Sequence, residues 1–211
     1  MRLHILILLV ACLCVLWTQW TLRVPRKGDC LRPEVHENFL TPAECTEIIE
    51  RAKELGLDRS AVTSTADGSG TIDASRTSTQ VFLPDDDPVA HRLAAKVASF
   101  LRVPPNRMEQ IQVLHYGPGQ KYEPHYDACN DGCDAGSDLP RVATFFIYLN
   151  DVEEGGETAF PMLGVGVAPK TGRACHWYNI DTRTGVNLPC ALHGGSPVIH
   201  GEKWACNIWI R

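Results

Sequence analysis

The chain has no surplus of basic residues. Its 20 lysines and arginines are outnumbered by 25 aspartates and glutamates, which gives a net charge of −5. Nucleic-acid-binding proteins usually carry clustered lysine and arginine, so the composition gives no support for a nucleic-acid partner. A modest negative charge is compatible with a basic peptide substrate.

Paired cysteines and histidines at zinc-finger spacing are also missing. Cys129 and Cys133 lie four residues apart, but no matching Cys or His pair is nearby, as a structural zinc site would require. Seven of the nine cysteines lie after the apolar N-terminal segment, so at least one is free or pairs between chains. We therefore expect a local disulfide between Cys129 and Cys133 in an oxidising compartment rather than a second metal site.

The N-terminal segment has no charge over residues 5–22, and no small-x-small cleavage site follows it. Its length lies between that of a signal-peptide core and that of a short membrane span. We expect an uncleaved signal anchor and linker over residues 1–27, with a cleaved signal peptide as the alternative. Three basic residues, Arg23, Arg26 and Lys27, follow the segment. The positive-inside rule would place this basic side of the segment in the cytoplasm. A single folded domain is expected over residues 28–211, since 44% apolar residues suffice for a substantial core.

Two helices are predicted in the first half of this domain. Thr41 is a plausible N-cap, Pro42 follows it, Glu44 completes a capping box, and Gly56 ends the pattern. Apolar residues recur at helical spacing over residues 87–101 and predict the second helix. Both helices are expected to support a sheet rather than to carry chemistry.

The second half of the chain predicts short strands separated by glycine and proline. Five segments alternate or are rich in β-branched and aromatic residues, as strands are: IQVLHY, RVATFFIYL, ACHWYNI, SPVIH and WACNIWI. The nearly continuous apolar run of RVATFFIYL predicts a strand that is buried on both faces. A mainly β fold with supporting helices follows, either a sandwich or a barrel.

Four polar residues in this half suggest chemistry. His125 and Asp127 are two residues apart, so in a strand both side chains would project from one face and reach one ion. With His193 they form the two-histidine, one-carboxylate set of non-haem Fe(II) oxygenases, which leaves open positions on the metal. Lys203 is placed to pair with the far carboxylate of a dicarboxylic cosubstrate.

Two other histidines compete for these roles. His200 is closer to Lys203 in sequence, but Gly201 marks a tight turn there and a ligand at His200 would crowd the lysine against the metal. His115 precedes Tyr116 in an alternating run, so the two side chains point to opposite faces. We therefore expect His193 to be the distal ligand, and His115 to be packed or exposed.

Three blocks of the sequence closely resemble the catalytic domain of prolyl 4-hydroxylases, which depend on Fe(II) and 2-oxoglutarate. The blocks are IQVLHYGPGQKYEPHYD, RVATFFIYLNDVEEGGETAFP and HGGSPVIHGEKWACNIWIR, and the likeness covers about residues 35–211. The resemblance implies that the β fold is a double-stranded β-helix, or jelly roll. It also implies a lumenal domain in the endoplasmic reticulum or secretory pathway.

The resemblance assigns a role to each matching residue. It makes His125, Asp127 and His193 the iron ligands, and it makes Lys203 the partner of the 2-oxoglutarate C5 carboxylate. Further cosubstrate contacts would come from Tyr116 and Thr158.

The resemblance also implies how a peptide is held. Tyr122, Arg141 and Trp209 match positions that hold the peptide near the target proline, and residues 76–79, beginning with Arg76, match a flap that closes over it. Lids of this kind are common where water must be excluded. One position departs from the family, whose members commonly have histidine two residues after the tryptophan, where this chain has Arg211.

The implied reaction is hydroxylation of proline to 4-hydroxyproline in proline-rich or collagen-like proteins. It would be coupled to oxidative decarboxylation of 2-oxoglutarate to succinate and CO₂, with Fe(II), O₂ and L-ascorbate as the other requirements. Two alternatives stay open. One is a 2-oxoglutarate oxygenase acting on lysine or another residue, and the other is a metal-dependent binding module without catalysis.

Overall fold

The computed structural model describes residues 31–63, 70–128 and 139–211. The predicted signal anchor and the predicted Cys129–Cys133 disulfide lie outside these residues. Within the described part, no helix is both long and apolar enough to span a membrane.

Both predicted helices are confirmed. Helix α1 (Pro42–Leu55) begins with a full capping box, in which the Thr41 backbone donates to Glu44 Oε2 at 2.7 Å. Helix α2 (Pro88–Leu101) begins at Asp87, whose side chain accepts from the Val89 backbone at 2.8 Å. These contacts satisfy backbone donors that the first turn of a helix leaves free.

Seventeen short strands are the other main regular elements of the described residues. In chain order they are β1 (Glu34–His36), β2 (Asp58–Arg59), β3 (Val62–Thr63), β4 (Gly70–Thr71), β5 (Thr79–Phe82), β6 (Gln112–Tyr116), β7 (Tyr122–His125), β8 (Ala143–Tyr148), β9 (Glu154–Gly155), β10 (Thr158–Phe160), β11 (Val165–Val167), β12 (Ala174–Tyr178), β13 (Ile180–Asp181), β14 (Val186–Asn187), β15 (His193–Gly195), β16 (Val198–His200) and β17 (Lys203–Ile210). Short 3₁₀ turns occupy Pro105–Arg107, Pro161–Leu163 and Pro189–Ala191.

The strands form two main antiparallel sheets. The major sheet has seven strands in the order β1-β12-β8-β17-β6-β5-β2, and the minor sheet has four in the order β11-β10-β15-β7. Both sheets contain neighbours that are far apart in sequence. This arrangement confirms the predicted jelly-roll fold, in which two sheets enclose a ligand site between them.

Two apolar clusters hold the layers together. The outer cluster joins the helices to one face of the major sheet, and the inner cluster lies between the sheets. Successive residues of β8 alternate between them, with Phe145 and Ile147 in the outer cluster and Phe146 and Tyr148 in the inner one. Strand β8 is thus buried on both faces, as its apolar run predicts.

The cysteines of the described part fall into two groups. Cys45, Cys175 and Cys206 are free and buried, and burial raises the pKa of the Cys45 thiol to about 11. These thiols pack as small apolar side chains and are unreactive. Cys190 is disulfide-bonded, which the spacing of the cysteines did not indicate.

Candidate active site

The three candidate metal ligands meet at the end of the minor sheet. His125 ends β7 and His193 begins β15, and the two lie directly opposite each other in the register of the sheet. Asp127 Oδ1 is 3.6 Å from His125 Nε2, and Asp127 Oδ2 is 3.5 Å from His193 Nε2. One ligand atom from each side chain lies within 4.8 Å of the others, as binding a single ion requires.

The route by which Asp127 reaches this position differs from the prediction. Strand β7 ends at His125, so Asp127 does not share a strand with it and the same-face argument was wrong. Instead the chain bends away toward the major sheet, where the Thr144 hydroxyl donates to Asp127 Oδ2 at 2.5 Å. Asn179 Nδ2 in turn donates to Thr144 Oγ1 at 2.9 Å. The carboxylate is therefore oriented by the opposite sheet.

Backbone carbonyls fix the orientation of both imidazoles. His125 Nδ1–H donates to the Glu123 carbonyl at 2.9 Å, and His193 Nδ1–H donates to the Ala191 carbonyl at 2.8 Å. These bonds leave the Nε2 lone pairs directed at Asp127 and at the space between the three side chains. Metal-binding histidines commonly have this outer support, which sets the tautomer.

The charges of the buried ligands also suit a cation. Burial lowers the pKa of His193 to about 4, so its imidazole is neutral at pH 7. Burial of Asp127 opposes ionisation, but His193, His125 and the Thr144 hydroxyl hold the pKa of the carboxyl well below its usual range. Two imidazoles and one carboxylate, grouped on one side, fit Fe(II) with positions left open.

Replacing Thr144 with valine is expected to weaken iron binding by about 10- to 100-fold, the usual effect of removing outer support from a ligand. The variant removes the hydrogen bond to Asp127 Oδ2 and leaves all three ligands in place. The measurement is the iron concentration that gives half-maximal 2-oxoglutarate turnover. An unchanged concentration, in a protein that melts at the wild-type temperature, would mean that Thr144 does not orient the carboxylate.

Lys203 is buried at the opposite end of the same space. It begins β17, pairs in register with Tyr116 of β6, and is only 1% exposed. Its ammonium lies 5.2 to 5.4 Å from the ring centroids of Tyr116, Phe146 and Tyr148. No carboxylate of the described residues forms an ion pair with it. A buried ammonium without an anionic partner is costly, which indicates that a ligand supplies the anion.

Thr158 faces this lysine end and is held by Tyr148. The Tyr148 hydroxyl donates to Thr158 Oγ1 at 2.7 Å and lies 3.1 Å from the Val167 carbonyl. Tyr148 was not among the predicted site residues. Its position in an apolar strand segment is typical of core residues and gave no signal of a role beyond packing.

The 2-oxoglutarate requirement is expected to rise above pH 8. Burial lowers the pKa of Lys203 to about 8, so the free protein loses the ammonium as the pH rises through that value. A bound dicarboxylate stabilises the charged form, so its apparent affinity should fall by about tenfold per pH unit above 8. The measurement is the 2-oxoglutarate concentration for half-maximal turnover between pH 6 and 10. A constant value across this range would contradict a charge-pairing role.

A single cavity of about 450 Å³ contains the ligand triad, the lysine end and every residue predicted to contact substrate. Buried polar atoms without partners are rare in native proteins and call for an explanation. Four such atoms belong to side chains that line this cavity. They are Arg76 Nε, Trp177 Nε1, Asn207 Oδ1 and Trp209 Nε1.

The predicted substrate residues line the cavity in two groups. Tyr122 stacks on His125 with ring centroids 3.6 Å apart, and the Arg76 guanidinium lies 4.7 Å from the Tyr122 ring centroid. The Arg141 guanidinium lies 3.6 Å from the Trp209 ring centroid. Arg76 was predicted on a flap, but it is only 7% exposed and donates to the Ala61 carbonyl at 3.0 Å.

Glu109 is a site residue that the sequence reasoning missed. Its carboxylate accepts from Arg141 Nε at 2.6 Å and Nη2 at 2.8 Å, and it lies 2.8 Å from Arg211 Nε. The residue that departs from the family pattern therefore shares a carboxylate with Arg141. Glu109 precedes the first predicted strand of this region, where an acidic residue is ordinary and gives no signal.

The competing histidines lie outside the site. His200 is exposed and pairs with Glu154 at 2.8 Å, and His115 pairs with Glu202 at 2.8 Å. Neither lines the cavity. Of the three histidines considered for the distal position, His193 is the one that lies beside His125 and Asp127.

The fold and the site define a class of protein that comparison with known proteins also identifies. Residues 111–211 match the model of the 2OG-Fe(II) oxygenase superfamily. Over 240 aligned positions the chain is 33% identical to prolyl 4-hydroxylase 2 of Arabidopsis thaliana, covering 98% of this chain and 80% of that protein. Probable prolyl 4-hydroxylase 10 of the same plant is 36% identical, with 85% and 68% covered.

A solved structure gives the same result. The 2OG complex of the viral collagen prolyl hydroxylase vCPH from Paramecium Bursaria Chlorella virus-1 superposes with a TM-score of 0.69 at 33% identity. The match covers 87% of this chain and 99% of the viral chain. The chain belongs to the prolyl 4-hydroxylases within the 2OG-Fe(II) oxygenases.

Proposed function

We propose that this protein hydroxylates proline residues of proline-rich or collagen-like polypeptides to 4-hydroxyproline, with conversion of 2-oxoglutarate and O₂ to succinate and CO₂. One observation carries the proposal. A two-histidine, one-carboxylate triad and a buried lysine without an anionic partner lie in the same cavity. That combination suits an iron-bound dicarboxylic cosubstrate.

His125, Asp127 and His193 would hold Fe(II), which together with the cosubstrate and O₂ supplies the oxidising chemistry. The chain's own contribution is binding, orientation and exclusion of water. Trp177 lies 4.6 Å from His193 between ring centroids and Phe160 lies 5.9 Å away, so apolar rings cover the distal imidazole. Lys203 would fix the far end of 2-oxoglutarate.

The lining of the cavity suits a proline-containing peptide. Proline-rich chains adopt the extended polyproline II conformation, which proteins recognise with aromatic-lined grooves. Tyr122 and Trp209 provide aromatic faces, and each is covered on one side by an arginine. Proline has no backbone N–H and offers only its carbonyl as an acceptor, so the unpartnered donors Arg76 Nε and Trp209 Nε1 suit a proline-rich chain.

Charge disfavours the alternative of a lysine substrate. The carboxylates among the described residues that line the cavity are Glu109 and Asp127. Glu109 pairs with Arg141 and Arg211, and Asp127 faces the two histidines. A lysine ammonium entering this space would find no free carboxylate among the described lining residues, and burying an unpaired charge is costly.

A panel of peptides tests the substrate class. The panel contains proline-rich, collagen-like and proline-free lysine peptides, each incubated with protein, Fe(II), 2-oxoglutarate and ascorbate, and then fragmented in a mass spectrometer. We expect one added oxygen per modified proline and none on lysine. Oxygen added to lysine in the proline-free peptides, with proline unmodified, would replace the proposal with its alternative.

We further propose that the protein works in the secretory pathway, with residues 28–211 as the lumenal catalytic domain and residues 1–27 as its membrane anchor and linker. The disulfide at Cys190 supports an oxidising compartment, and the uncharged N-terminal segment supports entry into it. L-ascorbate is proposed as the reductant that keeps the iron in the Fe(II) state. Protease protection in sealed microsomes tests the topology, because full digestion without detergent would contradict a lumenal domain.

A further inference from the structure

Two histidines and a glutamate come together at an edge of the major sheet, away from the active site. Strand β1 forms that edge and pairs antiparallel with β12, with Glu34 directly opposite His176. His36 is two residues after Glu34, so it projects from the same face of the sheet. All three side chains therefore lie side by side on adjacent strands.

The distances between these side chains resemble those of the active-site triad. His36 Nε2 is 2.9 Å from His176 Nδ1. One nitrogen or oxygen atom from each of the three residues lies within 4.8 Å of the others. Among the residues that the structure describes, only this cluster and the active-site triad satisfy that condition.

Aromatic side chains hold the two imidazoles in place. The His36 ring contacts the Phe100 ring edge to face, with centroids 4.7 Å apart, and its plane lies within 11° of that of His176. Phe145 stacks against both at about 6 Å. Rings restrained in this way lose little conformational entropy when they bind a ligand.

The protonation states suit a cation. Burial lowers the pKa of both His36 and His176, although the charge of Glu34 acts in the opposite direction. Both imidazoles are therefore neutral at pH 7, the form that binds metals. Glu34 is exposed and forms no ion pair within the described residues, so its carboxylate is available.

We propose that Glu34, His36 and His176 form a second metal site, which takes a divalent late transition metal such as Zn²⁺. The ion replaces the hydrogen bond between the two imidazoles and lies beside the line that joins their nitrogens, on the side of Glu34. With metal–nitrogen bonds of about 2.05 Å, nitrogens 2.9 Å apart subtend about 90°. Water completes the coordination, because no described strand pairs with the outer side of β1.

Such an ion would link the edge strand β1, through Glu34 and His36, to His176 of β12. Edge strands lack a partner on one side and are weak points of a sheet. Metal that binds only the folded chain raises its stability in proportion to the logarithm of metal concentration. The site is therefore structural, and its loss should leave the active-site triad intact.

Calorimetric titration of Zn²⁺ into metal-free protein without a polyhistidine tag tests the proposal. The wild type is expected to bind two equivalents, one at each site. The His176→Ala variant should lose one of them, and Glu34→Gln should weaken one by at least about tenfold. Because Glu34 is exposed, its variant tests the site even if the histidine variant unfolds.

His200→Ala is the matched control, because His200 and Glu154 form an exposed pair to which no other described residue adds a third ligand. This variant should bind two equivalents, like the wild type. In His125→Ala, whose active-site triad is incomplete, one equivalent should remain and zinc should still raise the melting temperature. Two results would overturn the proposal. One is a wild type that binds a single equivalent of zinc, which His125→Ala loses. The other is that the Glu34→Gln and His176→Ala proteins titrate like the wild type.

Discussion

Replacing Asp127 with alanine is expected to reduce iron-dependent turnover of 2-oxoglutarate by at least about 1000-fold, which corresponds to about 4 kcal/mol. Asp127 is the only anionic member of the triad, and it faces both imidazoles at 3.5 to 3.6 Å. The measurement is succinate formation at saturating iron and cosubstrate. His125→Ala is expected to have the same effect, since it removes a ligand of the same set.

The fold should survive these substitutions. The triad contributes no member to either apolar cluster, so the melting temperature should change by only a few degrees. Glu154→Ala is the matched control, because Glu154 also pairs with a histidine but lies on the exposed surface, and it should retain full turnover. Undiminished succinate formation by Asp127→Ala would contradict the assignment of the triad as the iron site.

Replacing Lys203 with methionine is expected to raise the 2-oxoglutarate concentration needed for half-maximal turnover by about 100-fold. Truncating one member of a buried charge pair costs about 2 to 5 kcal/mol of binding, and Lys203 is the buried cation at its end of the cavity. Methionine keeps a long apolar side chain among Tyr116, Phe146 and Tyr148. Turnover at saturating cosubstrate should fall much less than the half-maximal concentration rises.

The same substitution should stabilise the protein in the absence of ligand. Burial lowers the pKa of Lys203 from 10.5 to about 8, which places a penalty of about 3 kcal/mol on the charged form. The penalty acts in full below pH 8 and is relieved as the pH rises toward 10.5, so the gain in melting temperature should be largest near neutral pH. Lys170→Met is the control, since Lys170 is exposed and pairs with Glu37. An unchanged cosubstrate requirement in Lys203→Met would point to another anchor.

Local sequence patterns were sufficient for the helices and for the buried strands. The capping box at Thr41 and Glu44 satisfies backbone donors within one turn, so nothing distant is needed to place the start of α1. The apolar run of β8 likewise predicts a strand with both faces buried. The order of strands in the sheets did not follow from such patterns, because each strand can pair equally well with many others.

The family resemblance located the candidate ligands in the sequence, but it did not show how the fold brings them together. His125 and His193 are separated by 67 intervening residues, yet the register of β7 and β15 makes them direct neighbours. The support of Asp127 by Thr144, the pairing of Glu109 with two arginines and the cluster at Glu34 all depend on contacts between segments distant in sequence. The resemblance indicated the roles of the ligands but not these surroundings.

The most direct test of the central claim uses a proline-rich peptide whose prolines carry two deuterium atoms at C4. The peptide is incubated with the protein, Fe(II), 2-oxoglutarate and ascorbate, and the mass of each modified proline is determined by fragmentation. The account predicts that each modified proline gains one oxygen and exchanges one deuterium for a hydroxyl, with one succinate formed per event. Gain of oxygen with both deuterium atoms retained, or succinate formed without any change to proline, would contradict it.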